Sequence, residues 1–183
     1  MASRRSMRHR RSPAWYDRHV AMPMMIRPAK IDDHAAIWAV IEPMIREGET
    51  FALPRDMTAD AALAFWTTPG NDVFVAEDAG AVVGSYFMHP NQLGGGGHVA
   101  NCGYATAVAQ RGRGVARAMC AHSLEHARAR GFRAMQFNFV VATNERAVRL
   151  WQAMGFAIVG RLPGAFAHPT HGYVDALVMF QTL

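Results

Sequence analysis

Apolar residues recur at helical spacing over residues 32–46, where Ala36, Ile37, Val40, Ile41 and Met44 form one side of a helix. Asp32 or Asp33 can cap its start, and Pro43 should kink it or divide it. Ahead of it, Met25-Ile-Arg-Pro28 forms a short strand that ends at its proline. The loop Gly48-Glu-Thr-Phe-Ala-Leu-Pro54 leads to a second helix, capped by Thr58 and running through Trp66. The pattern then turns to strands. Residues 73–77 and 81–88 make a hairpin around Asp78-Ala-Gly80, a turn slightly longer than the tightest type.

Four glycines, 94 to 97, form a mobile connection; no helix follows them and no lysine lies nearby, so they are not a phosphate loop. The stretch from His98 to about Thr106 mixes β-branched, aromatic and small residues between glycine-rich flanks, which predicts a strand. A helix follows to about Arg130, and Gly131 ends it as a residue just past a helix should. Residues 132–141 form the next strand. Thr143 or Asn144 caps a helix to Met154, with Ala147, Val148, Leu150, Trp151 and Met154 as a broad apolar face. Two last strands, 156–162 and 173–180, flank a Pro/Gly/His-rich excursion. Strand, helix and strand at the central spacing imply a right-handed parallel crossover.

The length of 183 residues suits one well-cored domain, placed at 24–183. The basic charge is local: residues 1–20 hold six arginines against one acid, whereas 21–183 carry thirteen basic and thirteen acidic residues. The high pI therefore describes a tail rather than a nucleic-acid-binding domain, and only that tail is a candidate for nucleic-acid contact. Residues 1–23 are expected to be a disordered, Arg-rich extension. It lacks the apolar core of a secretory signal. No apolar run approaches the roughly 18 to 20 residues of a membrane span. Cys102 and Cys120 fall on a strand and a helix, as reduced core residues of a protein in a reducing, cytoplasmic compartment.

The chemistry concentrates in Asn101-Cys-Gly-Tyr-Ala-Thr-Ala-Val-Ala-Gln-Arg-Gly-Arg-Gly-Val-Ala116, a strand, a glycine turn and a helix start. Gly112 and Gly114 permit a sharp turn with unobstructed amides. The first amides of the helix lack intrahelical partners and carry partial positive charge, so the turn suits a phosphate or pyrophosphate, with Arg111 and Arg113 adding full charges. A Walker loop is excluded, because the chain's one lysine is Lys30. A dinucleotide fingerprint is excluded because Arg117 takes the place of its third glycine. The remaining pattern, Arg/Gln-x-x-Gly-x-Gly/Ala, is met by Arg111, Gly114 and Ala116. Here the sequence resembles the GNAT superfamily of acyl-CoA N-acyltransferases. A second stretch, Asn144-Glu-Arg-Ala-Val-Arg-Leu-Trp-Gln-Ala-Met-Gly-Phe156, looks like that family's Asn-x-x-Ala-x-x-Leu-Tyr-x-x-x-Gly-Phe signature.

The resemblance covers about 25–183 and implies an α/β fold: a mixed, mostly antiparallel sheet of six to seven strands, a splayed central parallel pair and about four helices. It implies acetyl-CoA as co-substrate, with pantetheine along Tyr104, Ala105 and Thr106 and pyrophosphate on the amides from Arg111 through Gly112, Arg113, Gly114 and Val115 to Ala116. Asn144 matches the family asparagine at the pantetheine arm or the departing thiol; helix capping would equally explain its position. Trp151 stands where many members place a tyrosine acid, and an indole releases no useful proton. Glu47 and Glu49, in the loop expected after the first helix, either bind an ammonium, relay a proton or are simply solvated. His89-Pro-Asn, Gly97-His-Val-Ala-Asn101 and Gln136-Phe-Asn138 resemble the branch with fungal azetidine-2-carboxylate acetyltransferases, which implies that Asn101 and Asn138 line the acceptor pocket. The alternative is that both asparagines tie up strand backbone. His168, His171, Tyr173 and Asp175 fall at the last hairpin, which in the family lines the acceptor pocket or a dimer contact. No metal is expected. The expected activity is N-acetylation of a small amino or imino acid by direct attack, by a homodimer. The alternatives are acetylation of a protein lysine or N-terminus, and a CoA-responsive binding module.

Overall fold

The computed structural model describes residues 24–183; the Arg-rich extension expected over 1–23 lies outside the described residues. The elements in order are β1 (Met25–Pro28), α1 (His34–Glu47), α2 (Ala59–Trp66), β2 (Asp72–Asp78), β3 (Ala81–Pro90) and β4 (Val99–Thr106). They continue with α3 (Val115–Ala129), β5 (Ala134–Val141), α4 (Glu145–Ala153), β6 (Ala157–His168) and β7 (Gly172–Thr182). One seven-stranded sheet runs β1-β2-β3-β4-β5-β7-β6. Only β4 and β5 pair in parallel; the other neighbours are antiparallel. The mixed α/β architecture with a central parallel pair agrees with the sequence expectation.

Each face of the sheet carries its own apolar layer, as the period of two along a strand requires. On β3, Tyr86 and Met88 join Phe74, Ala100, Met135 and Phe137 beneath α3 and α4. Phe87 points the other way, with Val75 and Ala105, against Ile37, Val40 and Ile41 of α1 and Trp66 of α2. Each fully buried large side chain contributes about 1.5–3 kcal/mol. The two polar groups under α2 are satisfied: Trp66 Nε1 donates to Ser85 Oγ at 2.9 Å, and Ser85 Oγ donates to the Phe74 carbonyl at 2.9 Å.

Several local expectations are corrected. Helix α1 runs unbroken through Pro43, because burial of Ile37, Val40, Ile41, Met44 and Ile45 along one face outweighs one lost backbone bond. Asp33 does not cap it with its side chain. Its carboxylate instead accepts from the Lys30 amide at 2.7 Å and from Arg27 Nη1 and Nη2 at 2.8 and 2.9 Å. The hairpin between β2 and β3 has the shortest loop, since Asp78 pairs with Ala81; Ala79 and Gly80 both have positive φ, at 49° and 81°, as a type I′ turn needs. The glycine connection forms a 3-10 turn over Gly94–Gly96. The Pro/Gly/His-rich excursion is strand: β6 reaches His168. It lies at the sheet's edge, where Pro163 owes no ladder N–H. Beyond it, the Gly164 amide donates to Asp175 Oδ1 at 2.9 Å.

Arg27 ties three elements together, since its Nε also donates to Glu77 Oε2 at 2.8 Å. The bidentate bond to Arg27, with the Lys30 amide, holds the Asp33 carboxyl at about 2, below its ordinary 3.8. A depressed carboxyl stabilises the fold above its unfolded pKa and loses that contribution as pH falls through its folded one. Asp33→Asn is expected to cost about 2 kcal/mol at neutral pH. In urea unfolding the gap between variant and parent should shrink as pH falls from about 4 to about 2; an unchanged gap across that window would show that the ion pair adds nothing.

Candidate active site

Strands β4 and β5 are joined at only two positions, Val99 with Ala134 and Ala100 with Met135. Beyond Ala100, β4 stays with β3 as far as Thr106 paired to Gly84. β5 instead follows β7, and its register with β7 slips between Phe137 and Val140: Phe137 faces Met179, and Val140 faces Leu177. That is one extra residue on β5, a bulge at Asn138 and Phe139. A bulge bends its strand and re-aims the side chains at it. The sheet therefore opens between Asn101 and Asn138, leaving the β4 backbone from Asn101 to Thr106 without a partner strand on that side.

The glycine turn lies at the far end of the same opening. Gly112 and Gly114 take φ of 91° and 85°, where other residues are strained. Gly114 precedes α3 without a side chain that caps it. The amides of Arg111 and Arg113 bond to the carbonyls of Val108 and Gln110, so these two of the six expected phosphate amides are already engaged. The amides of Gly112, Gly114, Val115 and Ala116 have no such backbone acceptor, which suits an anion. A cleft of about 1360 Å³ joins turn and opening, lined by Tyr104, Thr106, Arg111, Gly112, Gly114, Val115, Ala116 and Asn144. Unpaired strand backbone at one end and free amides at the other fit the pantetheine amides and phosphates of a CoA thioester. Ala105 faces the α1–α2 layer and adds only backbone. The Arg113 side chain donates to Gln110 Oε1 at 3.0 Å and does not line the cleft.

Asn101 and Asn138 face each other across the opening through a third residue. Asn91, just past β3, accepts with one carboxamide oxygen from Asn101 Nδ2 at 3.3 Å and from Asn138 Nδ2 at 2.6 Å. Gln136 Nε2 donates to Asn138 Oδ1 at 2.8 Å. Asn91 is the last residue of the His89-Pro-Asn stretch that carries part of the resemblance, but sequence reasoning gives it no role in the pocket. Asn144 accepts from the Ala147 amide at 3.2 Å while also lining the cleft, so capping does not remove it from the site. Glu49 lines the cleft; Glu47, the last residue of α1 rather than part of the following loop, pairs with Arg111 at 2.8 Å. Thr50 Oγ1, beside Glu49, is buried without a partner. Tyr173 does not line the cleft; it is 82% exposed at the start of β7. His168, one residue past Tyr173's cross-strand partner Ala167 on β6, is buried and does line it. His168 Nδ1 accepts from the Thr170 amide at 3.2 Å, which leaves the ring proton on Nε2.

The acids and nucleophiles within reach are constrained. The Tyr104 hydroxyl lies 2.6 Å from Ser123 Oγ of α3, and burial raises its pKa well above the usual phenol range. Trp151 packs against that phenol ring at 5.1 Å. Burial likewise pushes the Cys102 thiol up, and Cys120 up to about 12, so thiolate is scarce at neutral pH. Among the described residues no three His, Cys, Asp or Glu side chains gather where they could hold a metal. Among them, too, no helix is long and apolar enough to cross a membrane.

A profile of the acetyltransferase (GNAT) family matches residues 35–156. A solved GCN5-related N-acetyltransferase from Kribbella flavida is 44% identical, with a TM-score of 0.84 over 87% of this chain and 98% of that one. The N-acetyltransferase aca1 of Schizosaccharomyces pombe is 28% identical over 73% of this chain and 72% of its own length. A phosphinothricin acetyltransferase from Sinorhizobium meliloti, solved in complex with AcCoA, is 21% identical and shares the fold, with a TM-score of 0.77 over 88% of this chain and 89% of that one. Profile, identity and an opened sheet that ends in a glycine turn agree, and the chain belongs to the acetyltransferase (GNAT) family, as an acetyl-CoA-dependent N-acetyltransferase.

Proposed function

We propose that the acceptor is the amine of a small amino or imino acid, acetylated by direct attack in a ternary complex with acetyl-CoA. The observation that carries this reading is the linked set of carboxamides, Gln136, Asn138, Asn91 and Asn101, at the opening of the sheet. Carboxamides accept from an amine N–H and donate to a carboxylate, so a wall built of them suits a short zwitterion. The likeness of Asn101 and Asn138 to the azetidine-2-carboxylate acetyltransferase branch supports the same class. Glu49, Thr50 and Phe51 of the α1–α2 connection line the same cleft, which favours a small acceptor over an extended peptide. The Sinorhizobium meliloti relative, solved with AcCoA, supports seating the donor along β4 and the glycine turn.

In the proposed reaction the acceptor ammonium first loses a proton to water or to Glu49, because only the neutral amine is a nucleophile. Its nitrogen attacks the thioester carbonyl; the C–N bond forms, the C–S bond breaks and CoA leaves as its thiolate. The β4 backbone near Tyr104 polarises the carbonyl, and Asn144 lies beside the departing sulfur. Trp151 supplies no proton. The buried thiol of Cys102 supports direct attack over a cysteine relay. The expected homodimer is supported by Ile158, Val159, Leu162 and Tyr173, all exposed on the β6–β7 edge.

Thiol release from acetyl-CoA should occur with small imino or amino acids and not with lysine or N-terminal peptides; turnover confined to peptides would reject the substrate class. Tight CoA binding with no thiol release from any acceptor would favour the binding-module alternative instead. Asn101→Ala and Asn138→Ala should each lower kcat/KM for the acceptor by about tenfold or more, with the KM for acetyl-CoA nearly unchanged. A loss of donor affinity instead would move both asparagines to the donor side. Cys102→Ala should keep turnover within about threefold of the parent, and rapid quench should trap no acetyl-cysteine; a trapped acetyl-Cys102 in the parent enzyme would overturn direct attack.

A further inference from the structure

Arg146 is the second residue of α4, two positions past Asn144, and it lines the same cleft as Arg111, Gly112 and Arg117. Its guanidinium rests on the glycine turn: Nη2 stands 2.9 Å from where a Cβ on Gly112 would lie. The bare face of that glycine is what lets a cation sit so close to the turn's free amides.

The neighbouring arginines are otherwise engaged. Arg111 pairs with Glu47 at 2.8 Å, Arg113 donates to Gln110 at 3.0 Å and Arg117 to Met154 Sδ at 3.5 Å. On α4 itself, Arg149 pairs with Glu145 at 2.8 Å. Among the described residues Arg146 has no hydrogen-bond or ion-pair partner in the protein. Its place is also unfavourable for the helix, because a positive charge in the first turn meets the positive end of the peptide dipoles. A cation held against an anion-binding turn, with no internal counter-charge and no benefit to its own helix, calls for an external anion.

We propose that Arg146 is a phosphate ligand of the acetyl donor. The nucleotide end of CoA carries a pyrophosphate and a 3′-phosphate, more charge than four amides and a shared Arg111 can match. A guanidinium presents a planar fork of N–H donors suited to phosphoryl oxygens. Arg146 thereby closes the turn from the α4 side, opposite Arg111 on the α1 side, so the phosphates lie between two cations carried on different helices and loops.

The test compares binding of CoA and of 3′-dephospho-CoA by calorimetry to the parent protein, Arg146→Ala and Arg149→Ala. Arg149→Ala removes the same charge from the same helix at a side chain that does not line the cleft, so it controls for overall charge. Arg146→Ala should weaken CoA by about tenfold or more, and Arg149→Ala by less than about twofold. A loss seen with CoA and absent with 3′-dephospho-CoA assigns Arg146 to the 3′-phosphate; an equal loss with both assigns it to the pyrophosphate. Unchanged CoA affinity in Arg146→Ala, or an equal loss in the two variants, overturns the proposal. Matching melting temperatures establish that both variants fold, and the readout is independent of which amine is acetylated.

Discussion

Everything at this site depends on β4 and β5 parting after two residue pairs. A continuous ladder there would satisfy the backbone of both strands and leave no cleft. β4 is held by β3 along its whole length, while β5 is carried off by β7 with a bulge at the point of divergence. The opening is thus a product of two stronger antiparallel pairings, and the unpaired β4 edge it leaves is a row of directed donors and acceptors. An amide-rich pantetheine arm can complete such an edge as a further strand would.

The same opening brings donor and acceptor groups within reach of one another electrostatically. Glu47 closes α1, and its carboxylate pairs with Arg111 on the phosphate turn. Both side chains are partly exposed, so the pair itself adds little stability. Its consequence is positional: it fixes the end of α1, and hence the start of the connection that carries Glu49 and Thr50 into the cleft. A phosphate arriving at Arg111 competes with Glu47 or shares its partner. In either case a bound phosphate is felt at the connection that carries Glu49 and Thr50 into the cleft, which is the acceptor side on the proposed reading.

The strand–turn–helix around Gly112 and Gly114 was legible in the sequence because its chemistry is local: glycines, a helix start and arginines within a few residues. The element order was legible for the same reason. What lay beyond the sequence was set at long range. The bulge at Asn138 exists because β5 and β7 pair out of step, and no local pattern announces it. Asn91 matters only because the end of β3 meets β4 and β5 there. The extent of β6 was hidden by Pro163 and Gly164, which read as breakers; at a sheet edge, with Asp175 supplying the acceptor for Gly164, they do not break it. Tyr173, expected at the acceptor, faces outward, while His168, one residue past its partner Ala167, turns in. A one-residue difference in strand facing is what sequence spacing fixes least securely where register slips.

The tryptophan at 151 narrows where proton chemistry can occur. An indole gives up no proton, and the phenol packed against it, Tyr104, is bonded to Ser123 with its pKa raised by burial. The phenol holds its proton more tightly than a free one and is a poor acid for a departing thiolate, and His168 Nδ1 is occupied by the Thr170 amide. CoA thiolate, a comparatively weak base, can depart without full protonation, so the absence of a phenolic acid need not slow the leaving step. On the proposed mechanism the demanding proton is instead the one on the acceptor amine. The pH dependence of kcat/KM should then follow the acceptor's own ammonium pKa, and differ between acceptors of different basicity, more than it follows any group of the protein.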